Sequence, residues 1–135
     1  MEIKVEIYWE DKNYSCAWGD PTFGVVMCTA KDIETLKSEF ESSLKSQIDD
    51  MLADGEEVPE ALASGDYEVS YTLAISALLR QAEHYTTLTA IAAATGINQK
   101  QIHHYASNVK KPRPAQAQRI VEGIRQIGRS LLAVL

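Results

Sequence analysis

Residues 88–105, which read LTAIAAATGINQKQIHHY, decide how the second half of this chain folds. Ala92 is small enough to lie where two helices cross, and Gly96 can turn the chain through a positive φ. Asn98 is a good N-cap for a second helix, because its side chain accepts a hydrogen bond from a free backbone N–H. The apolar residues that would fix the angle between the helices are Ile91, Ile97, Ile102 and Tyr105. This spacing predicts two short helices joined by a tight turn.

The second of these helices presents a polar face. With the apolar residues turned inward, the side chains that point outward are Gln99, Lys100, His103 and His104. Glutamine is suited to the major-groove edge of adenine, which offers a donor beside an acceptor, and lysine can reach a phosphate or a guanine. This pattern is typical of a helix-turn-helix that binds double-stranded DNA. A plain helical hairpin with ordinary surface polar residues is the alternative.

A basic loop with two prolines, SNVKKPRP at residues 107–114, follows the second helix. Its cations are placed to bind backbone phosphates, which sets the register on a duplex without reading its bases. A merely solvated loop is the other interpretation. Pro114 can open the next helix at its first position. The predicted DNA-binding residues are Asn98, Gln99, Lys100, His103, His104, Ser107, Lys110, Lys111 and Arg113.

Charge divides the chain into an acidic and a basic half. Residues 1–66 carry sixteen acidic side chains against five lysines, which is a net charge of −11. Residues 67–135 carry eight basic side chains against three acidic ones, which is a net charge of +5. The overall net charge of −6 conceals this division. Two surfaces with different partners are therefore expected, and the basic one is suited to a polyanion.

The first half has the pattern of a small sheet with one long helix. Four stretches either alternate apolar and polar residues or are rich in β-formers, as strands are. A fifth stretch has an apolar stripe at steps of three and four, as an amphipathic helix has. These elements are predicted at residues 3–9, 14–18 and 23–29 for the first three strands, 31–53 for the helix and 67–73 for the last strand.

From residue 74 onward the pattern is entirely helical. The order β-β-β-α-β followed by helices predicts an α+β protein. Two domains are expected, 1–73 and 74–135, with no flexible linker between them. Gly55 suits the left-handed position after the long helix, and an acidic loop is predicted around Pro59.

The last helix is predicted from about residue 115 onward. Its apolar stripe consists of Ile120, Ile124, Ile127, Leu131 and Leu132, and residues 131–135 are strongly apolar. Such an apolar segment usually packs on something, either on its own domain or across a two-fold axis on a second copy. A two-fold pair would also present two polar helices to successive major grooves. A homodimer or higher homo-oligomer is therefore expected.

The sequence predicts neither catalysis nor a bound cofactor or metal. No Ser/His/Asp, Cys/His or glycine-rich phosphate-loop arrangement is present. Cys16 and Cys28 lie in predicted strands as free thiols, and two cysteines without a paired motif cannot complete a tetrahedral zinc site. No targeting signal and no apolar run long enough to span a bilayer is present, so we expect a cytoplasmic protein without a membrane partner.

The second half resembles the Xre/Cro-type helix-turn-helix, in the version attached to HicB-type antitoxins. The residues that carry this resemblance are 95–107 (TGINQKQIHHYAS) and 110–114 (KKPRP). The first half is similar to the HicB domain, a truncated RNase H-like fold with the order β-β-β-α-β. That similarity is carried by the segments 14–18 (YSCAW), 27–30 (MCTA) and 54–59 (DGEEVP) and by the helix that begins near Asp32.

The resemblance implies a non-catalytic antitoxin that is also an autorepressor. The acidic first domain would bind a small, basic, RNA-cleaving HicA-like toxin and cover its active surface, and the second would bind operator DNA as a dimer. Opposite charges suit the toxin pairing, because complementary potentials raise the association rate. A stand-alone transcriptional regulator, whose first domain binds another ligand or partner, is the alternative. An RNase H-type enzyme is disfavoured, because the strands offer Glu2, Glu6 and Glu68 without an inward trio of carboxylates.

Overall fold

The sequence folds into four strands and six helices. The computed structural model describes every residue, Met1–Leu135. The elements are β1 (Glu2–Glu10), β2 (Asn13–Asp20), β3 (Gly24–Ala30), α1 (Ile33–Ala53), α2 (Glu60–Ala63), β4 (Glu68–Leu73), α3 (Ile75–Ala82), α4 (Leu88–Thr95), α5 (Gln99–Ala106) and α6 (Pro114–Ala133). The predicted α+β class is confirmed.

The chain divides into two compact units. The first unit consists of Met1–Ile7 and Asp11–Thr72, and the second unit consists of Tyr8–Glu10 and Leu73–Leu135. The sequence pattern predicts a boundary between residues 73 and 74. It does not predict that the end of β1 is part of the second unit.

The sheet of the first unit has the strand order β3-β2-β1-β4, so β3 and β4 are its edges. β2 and β3 pair antiparallel, with Cys16 opposite Cys28. The helix α1 packs against β2 and β3. The buried residues of α1 are Leu36, Phe40, Leu44 and Ile48, and those of β1 include Ile3, Val5 and Ile7. Burial of each such side chain stabilises the unit by about 1.5–3 kcal/mol, so this helix-on-sheet layer is its main stabilising feature.

Both ends of α1 are capped. Asp32 is the N-cap, and its carboxylate accepts hydrogen bonds from the backbone N–H and the hydroxyl of Thr35, both at 2.8 Å. At the other end Gly55 adopts a φ of 72°, and the backbone N–H groups of Gly55 and of the next residue return to carbonyls of the last turn. In this Schellman arrangement a left-handed glycine lets the chain leave the helix while its last carbonyls stay bonded. The predicted role of Gly55 is confirmed.

A short helix, α2, replaces part of the predicted acidic loop. Its four residues follow Pro59, and the side chain of Leu62 is buried. The prediction of a loop is therefore wrong at this point. Glu60 lies in the first turn, where the helix dipole favours a negative charge. One helical turn is too short to produce the apolar period that marks a helix in a sequence, which is why the pattern missed it.

The helices of the second unit surround one apolar core. α4 packs against both α5 and α6. Where α4 meets α6, Gly123 approaches so closely that a Cβ there would lie 2.4 Å from Cγ2 of Thr95. The core residues are Leu79, Leu88, Ile91, Ala92, Ile97, Ile102, Tyr105, Ala106 and Ile120. The four apolar residues predicted to fix the angle between the two short helices are all among them.

Arg80 on α3 holds the end of α5 in place. Its Nε donates to the carbonyl of Ala106 and its Nη2 donates to Oγ of Ser107, both at 3.1 Å. Its Nη1 forms an ion pair with Glu83 at 2.9 Å. The guanidinium also lies 5.4 Å from the centre of the Trp9 ring. Arg80 therefore joins α3, the end of α5 and the end of β1 within the second unit.

Candidate nucleic-acid interface

Gly96 makes the turn between α4 and α5 possible. It adopts a φ of 71° and a ψ of 11°, and its backbone N–H donates to the carbonyl of Ala92 at 2.9 Å. A side chain would be strained in this left-handed conformation, which is why glycine suits the position. The backbone N–H of Ile97 then donates to Oγ1 of Thr95 at 3.2 Å, and Ile97 is buried. The predicted positive φ at Gly96 and the predicted inward position of Ile97 are confirmed.

Asn98 caps the first turn of α5. Its Oδ1 accepts a hydrogen bond from the backbone N–H of Lys100 at 2.8 Å, which confirms the predicted N-cap. This bond satisfies one of the N–H groups that every helix leaves free at its start, and the others remain able to bind an anion. The side chains of Asn98 and Lys100 are both exposed.

A hydrogen bond between two helices orients Gln99. Its Nε2 donates to Oγ1 of Thr89 on α4 at 2.8 Å. An amide nitrogen carries two N–H groups, so one donor and the carbonyl acceptor of Gln99 remain for another partner. Those two groups match the acceptor and donor that adenine presents in the major groove. The sequence pattern did not identify Thr89, because a contact ten residues away has no local signature.

The two histidines of α5 differ in exposure. His103 is exposed, as predicted, whereas His104 is only partly exposed, and its Nδ1 is buried without a hydrogen-bond partner. The prediction that both histidines face outward is therefore wrong for His104. One helical step of about 100° separates it from Tyr105, which is buried, so His104 lies at the edge of the polar face.

The loop after α5 presents its cations to solvent. The exposed cations are Lys110, Lys111 and Arg113. Pro114 is the first residue of α6, as predicted. Ser107 differs from the rest of the predicted site, because its hydroxyl already accepts a hydrogen bond from Arg80. The hydroxyl proton of Ser107 remains available to donate to another acceptor.

An open groove of about 520 Å³ lies beside the start of α5. The residues along it are Gly96, Ile97, Asn98, Lys100, Gln101, His104, Lys110, Gln116 and Arg119. Four of the predicted DNA-binding residues are thus brought together, namely Asn98, Lys100, His104 and Lys110. The other five, Gln99, His103, Ser107, Lys111 and Arg113, do not line the groove.

Arg119 is the cation that the sequence pattern missed. From α6, its Nη2 donates to the carbonyl of Thr95 at 2.8 Å and its Nη1 donates to Oε1 of Gln116 at 3.1 Å. A Cβ on Gly96 would lie 3.4 Å from Nη2, so the glycine also leaves room for the guanidinium. Only the packing of α6 on α4 brings Arg119 to this groove, and no local pattern marks it.

The groove has the chemistry of an anion site. Lys100, Lys110 and Arg119 line it at the N-terminus of α5. Helix N-termini carry a partial positive charge and free N–H groups that bind phosphates, and Lys and Arg add charge-assisted hydrogen bonds. The groove is therefore suited to a backbone phosphate, while Gln99 and His103 lie outside it on the exposed face of α5.

Both cysteines are free thiols. Burial, with a smaller contribution from Cys28, raises the pKa of the Cys16 thiol to about 11, so this thiol stays protonated near neutral pH. No group of three or more His, Cys, Asp or Glu residues is arranged to hold a metal ion. Among the helices, none combines the length and the apolar character needed to cross a bilayer.

Comparison with known proteins provides no relative. No protein-family model, no curated protein and no solved structure matches this chain. The resemblance drawn from sequence patterns therefore stays a prediction, and the function is inferred from the residues and their geometry.

Proposed function

We propose that this protein is a DNA-binding antitoxin that represses its own operon. In this proposal α4 and α5 form an Xre/Cro-type helix-turn-helix, through which the second unit binds operator DNA. The first unit, with a truncated RNase H-like fold of the HicB type, binds a small basic HicA-like toxin. The observation that carries the DNA-binding part of this proposal is the exposed polar face of α5, held by the turn at Gly96 beside a groove lined by three cations.

The size and polarity of α5 support its insertion into the major groove. The buried side of α5 consists of Ile102, Tyr105 and Ala106, and its exposed residues include Gln99, Lys100 and His103. The major groove of B-DNA is about 12 Å wide and admits one helix. The bond to Thr89 already holds the Gln99 side chain, so less conformational entropy is lost when it binds a base.

The cations around the groove support a second kind of contact, with the DNA backbone. Lys110 reaches the groove from the loop after α5, and Arg119 reaches it from α6. Phosphate contacts of this kind orient a protein on the duplex but carry no sequence information. They also release counterions, so the affinity should fall as salt rises.

The end of α6 supports self-association. Ile124 and Ile127 pack against the core of the second unit, but Leu131 is 57% exposed and Leu132 is 70% exposed. The apolar end of α6 could pack either on its own unit or on a second copy of the chain. Packing on its own unit leaves both leucines uncovered. A second copy would cover them, and a two-fold pair suits half-sites about 34–36 Å apart, which is one turn of duplex.

Charge supports a basic partner for the first unit. Residues 1–66 have a net charge of −11, and the carboxylates are spread over strands, α1 and α2. Such a field attracts a cationic protein over several ångströms and raises its association rate. A toxin that cleaves RNA must itself attract a polyanion, so it fits this field.

Repression and neutralisation can be tested separately in cells. A reporter driven by the promoter of this chain's gene measures repression, and growth after expression of a short reading frame beside that gene measures neutralisation. The absence of such a reading frame favours the stand-alone regulator. We expect the wild type to repress the reporter and to restore growth, and Gln99→Ala to lose repression while still restoring growth. A reporter that the wild type leaves unchanged contradicts the DNA-binding proposal. Repression without any effect on growth favours the stand-alone regulator.

A further inference from the structure

One face of the sheet in the first unit is covered by α1, and the other face is open. Along β3, Val26 is buried while its neighbours Val25 and Met27 are exposed. Successive side chains of a strand point to opposite faces, so these two exposed residues share one face. Cys28 lies on the other face, where its Sγ is 3.8 Å from Oγ of Ser43 on α1. Val25 and Met27 therefore lie on the face away from α1, here named the open face.

The β2–β3 half of the open face is apolar. Val25 is 60% exposed and Met27 is 70% exposed. In the antiparallel pair Met27 lies opposite Ala17, and Val25 lies opposite Gly19. A Cβ on Gly19 would lie 3.1 Å from Cγ2 of Val25, so the valine leans over the glycine. Two large apolar side chains thus stand beside two small residues, with no charge among them.

The β1–β4 half of the open face is acidic. Its outward charged residues are Glu2, Lys4 and Glu6 on β1 and Glu68 on β4, all of them exposed. Oγ of Ser70 on β4 donates to Oε1 of Glu2 at 3.3 Å, so the outward residues of the two strands lie side by side. Three carboxylates against one lysine leave a net charge of −2 on this half.

We propose that the open face is the surface on which the first unit binds a basic protein. Val25 and Met27 would form the centre of the contact, and the carboxylates of β1 and β4 would form one side of its rim. The inference rests on the proposed function in one respect, namely that the first unit has a basic protein partner. Interfaces typically combine an apolar centre, which supplies most of the affinity, with a polar rim that supplies specificity.

Other occupants fit the open face less well. A second copy would set two negative rims against each other, in a segment that already has a net charge of −11. A nucleic acid would meet the same repulsion through its phosphates. A basic protein surface with an apolar centre matches both halves of the open face. β3 is also an edge strand, so no further strand of the sheet flanks the apolar half.

Met27→Glu and Leu52→Glu form a matched pair for the test. Each places a carboxylate on an exposed apolar position of the first unit, but Leu52 lies on α1, where it is 45% exposed. The probe is the purified product of the reading frame adjacent to this chain's gene, titrated into the full-length chain in a calorimeter. We expect Met27→Glu to weaken binding by about tenfold or more, and Leu52→Glu to change it by less than about twofold.

A second variant tests the inference even if Met27→Glu impairs folding. Glu6→Lys reverses one charge of the acidic half, so it should slow association and flatten its salt dependence. Circular dichroism and operator binding of each variant report whether the chain is still folded.

The outcomes separate this inference from the proposed function. A wild-type chain that does not bind the product overturns the antitoxin proposal and this inference with it. Binding that survives both Met27→Glu and Glu6→Lys overturns the inference alone. If Met27→Glu instead abolishes self-association of the free chain in sedimentation experiments, a second copy occupies the open face and the inference is wrong.

Discussion

The amide of Gln99 on α5 donates a hydrogen bond to the hydroxyl of Thr89 on α4, at 2.8 Å. The bond spans the turn between the two helices and restrains an exposed side chain. If α5 enters the major groove of DNA, as proposed, this restraint lowers the conformational entropy that Gln99 loses when it binds a base. In the proposed function, Gln99 would be the reading residue, and Thr89 would position its side chain.

Gln99→Ala should weaken operator binding by about 1–3 kcal/mol and relax the base preference at one position, because a contact to a base edge is lost. Thr89→Ala should weaken it by about 0.5–1.5 kcal/mol and keep the preference. Fluorescence anisotropy on the operator and its single-base variants measures both effects. Gln126→Ala removes another exposed glutamine, on α6 outside the groove, and should change nothing. If Gln99→Ala leaves the base preference unchanged, Gln99 does not read a base and other residues must do so.

Lys110→Ala should weaken binding to all DNA sequences alike, because the proposal gives this side chain a phosphate rather than a base as its partner. The slope of log affinity against log salt should become shallower by about one unit. Arg119→Ala should have the same effect. Arg125→Ala is the control, since Arg125 is an exposed α6 cation in a surface ion pair with Glu122 at 3.9 Å. Salt slopes that stay unchanged in Lys110→Ala and Arg119→Ala would remove the groove from the interface.

Gly123→Ala should lower the free energy of unfolding by about 1–3 kcal/mol, because overpacking forces α4 and α6 apart. The added Cβ would lie 2.4 Å from Cγ2 of Thr95. Gly128→Ala lies in the same helix with nothing within 4 Å of its Cβ, so it should stabilise by about 0.5–1 kcal/mol. Adding Thr95→Ser to Gly123→Ala removes the clashing methyl and should restore part of the loss. Urea unfolding measures all four chains, and equal effects at the two glycines would contradict the close crossing.

The N-cap of α1 should make stability depend on pH. Hydrogen bonds from the backbone and hydroxyl of Thr35 hold the pKa of Asp32 below its usual value. The carboxylate therefore stabilises the fold above its unfolded pKa of about 3.9, and this contribution is lost as pH falls through the lower, folded pKa. The stability difference between the wild type and Asp32→Ala should be complete near neutral pH and shrink below about pH 4. Chemical unfolding across this range measures it, and a difference that stays constant in acid would show that the charge plays no part.

Sequence patterns identified those features that depend on neighbouring residues. The turn at Gly96, the cap at Asn98 and the end of α1 at Gly55 each favour one residue type or a few at a single position, so the residue itself is the signal. The long elements were predictable for the same reason, because a period of two or of three to four residues repeats over several turns or pleats.

The features that the sequence did not reveal depend on packing between distant segments. Arg119 and Gly123 matter only because α6 lies against α4. The end of β1 joins the second unit through Trp9, which meets Arg80 more than seventy positions later. No local period encodes contacts of this range.

The most direct test is the affinity of the full-length chain for a fragment of its own promoter, compared with a scrambled fragment of equal length at several salt concentrations. In the proposed complex, α5 lies in the major groove of the DNA, and the groove of the protein beside α5 binds backbone phosphates. This arrangement predicts tighter binding to the promoter by about a thousandfold or more, with affinity falling as salt rises. Equal affinity for the two fragments, or an affinity that salt does not change, would contradict the proposal that this chain binds operator DNA through α5.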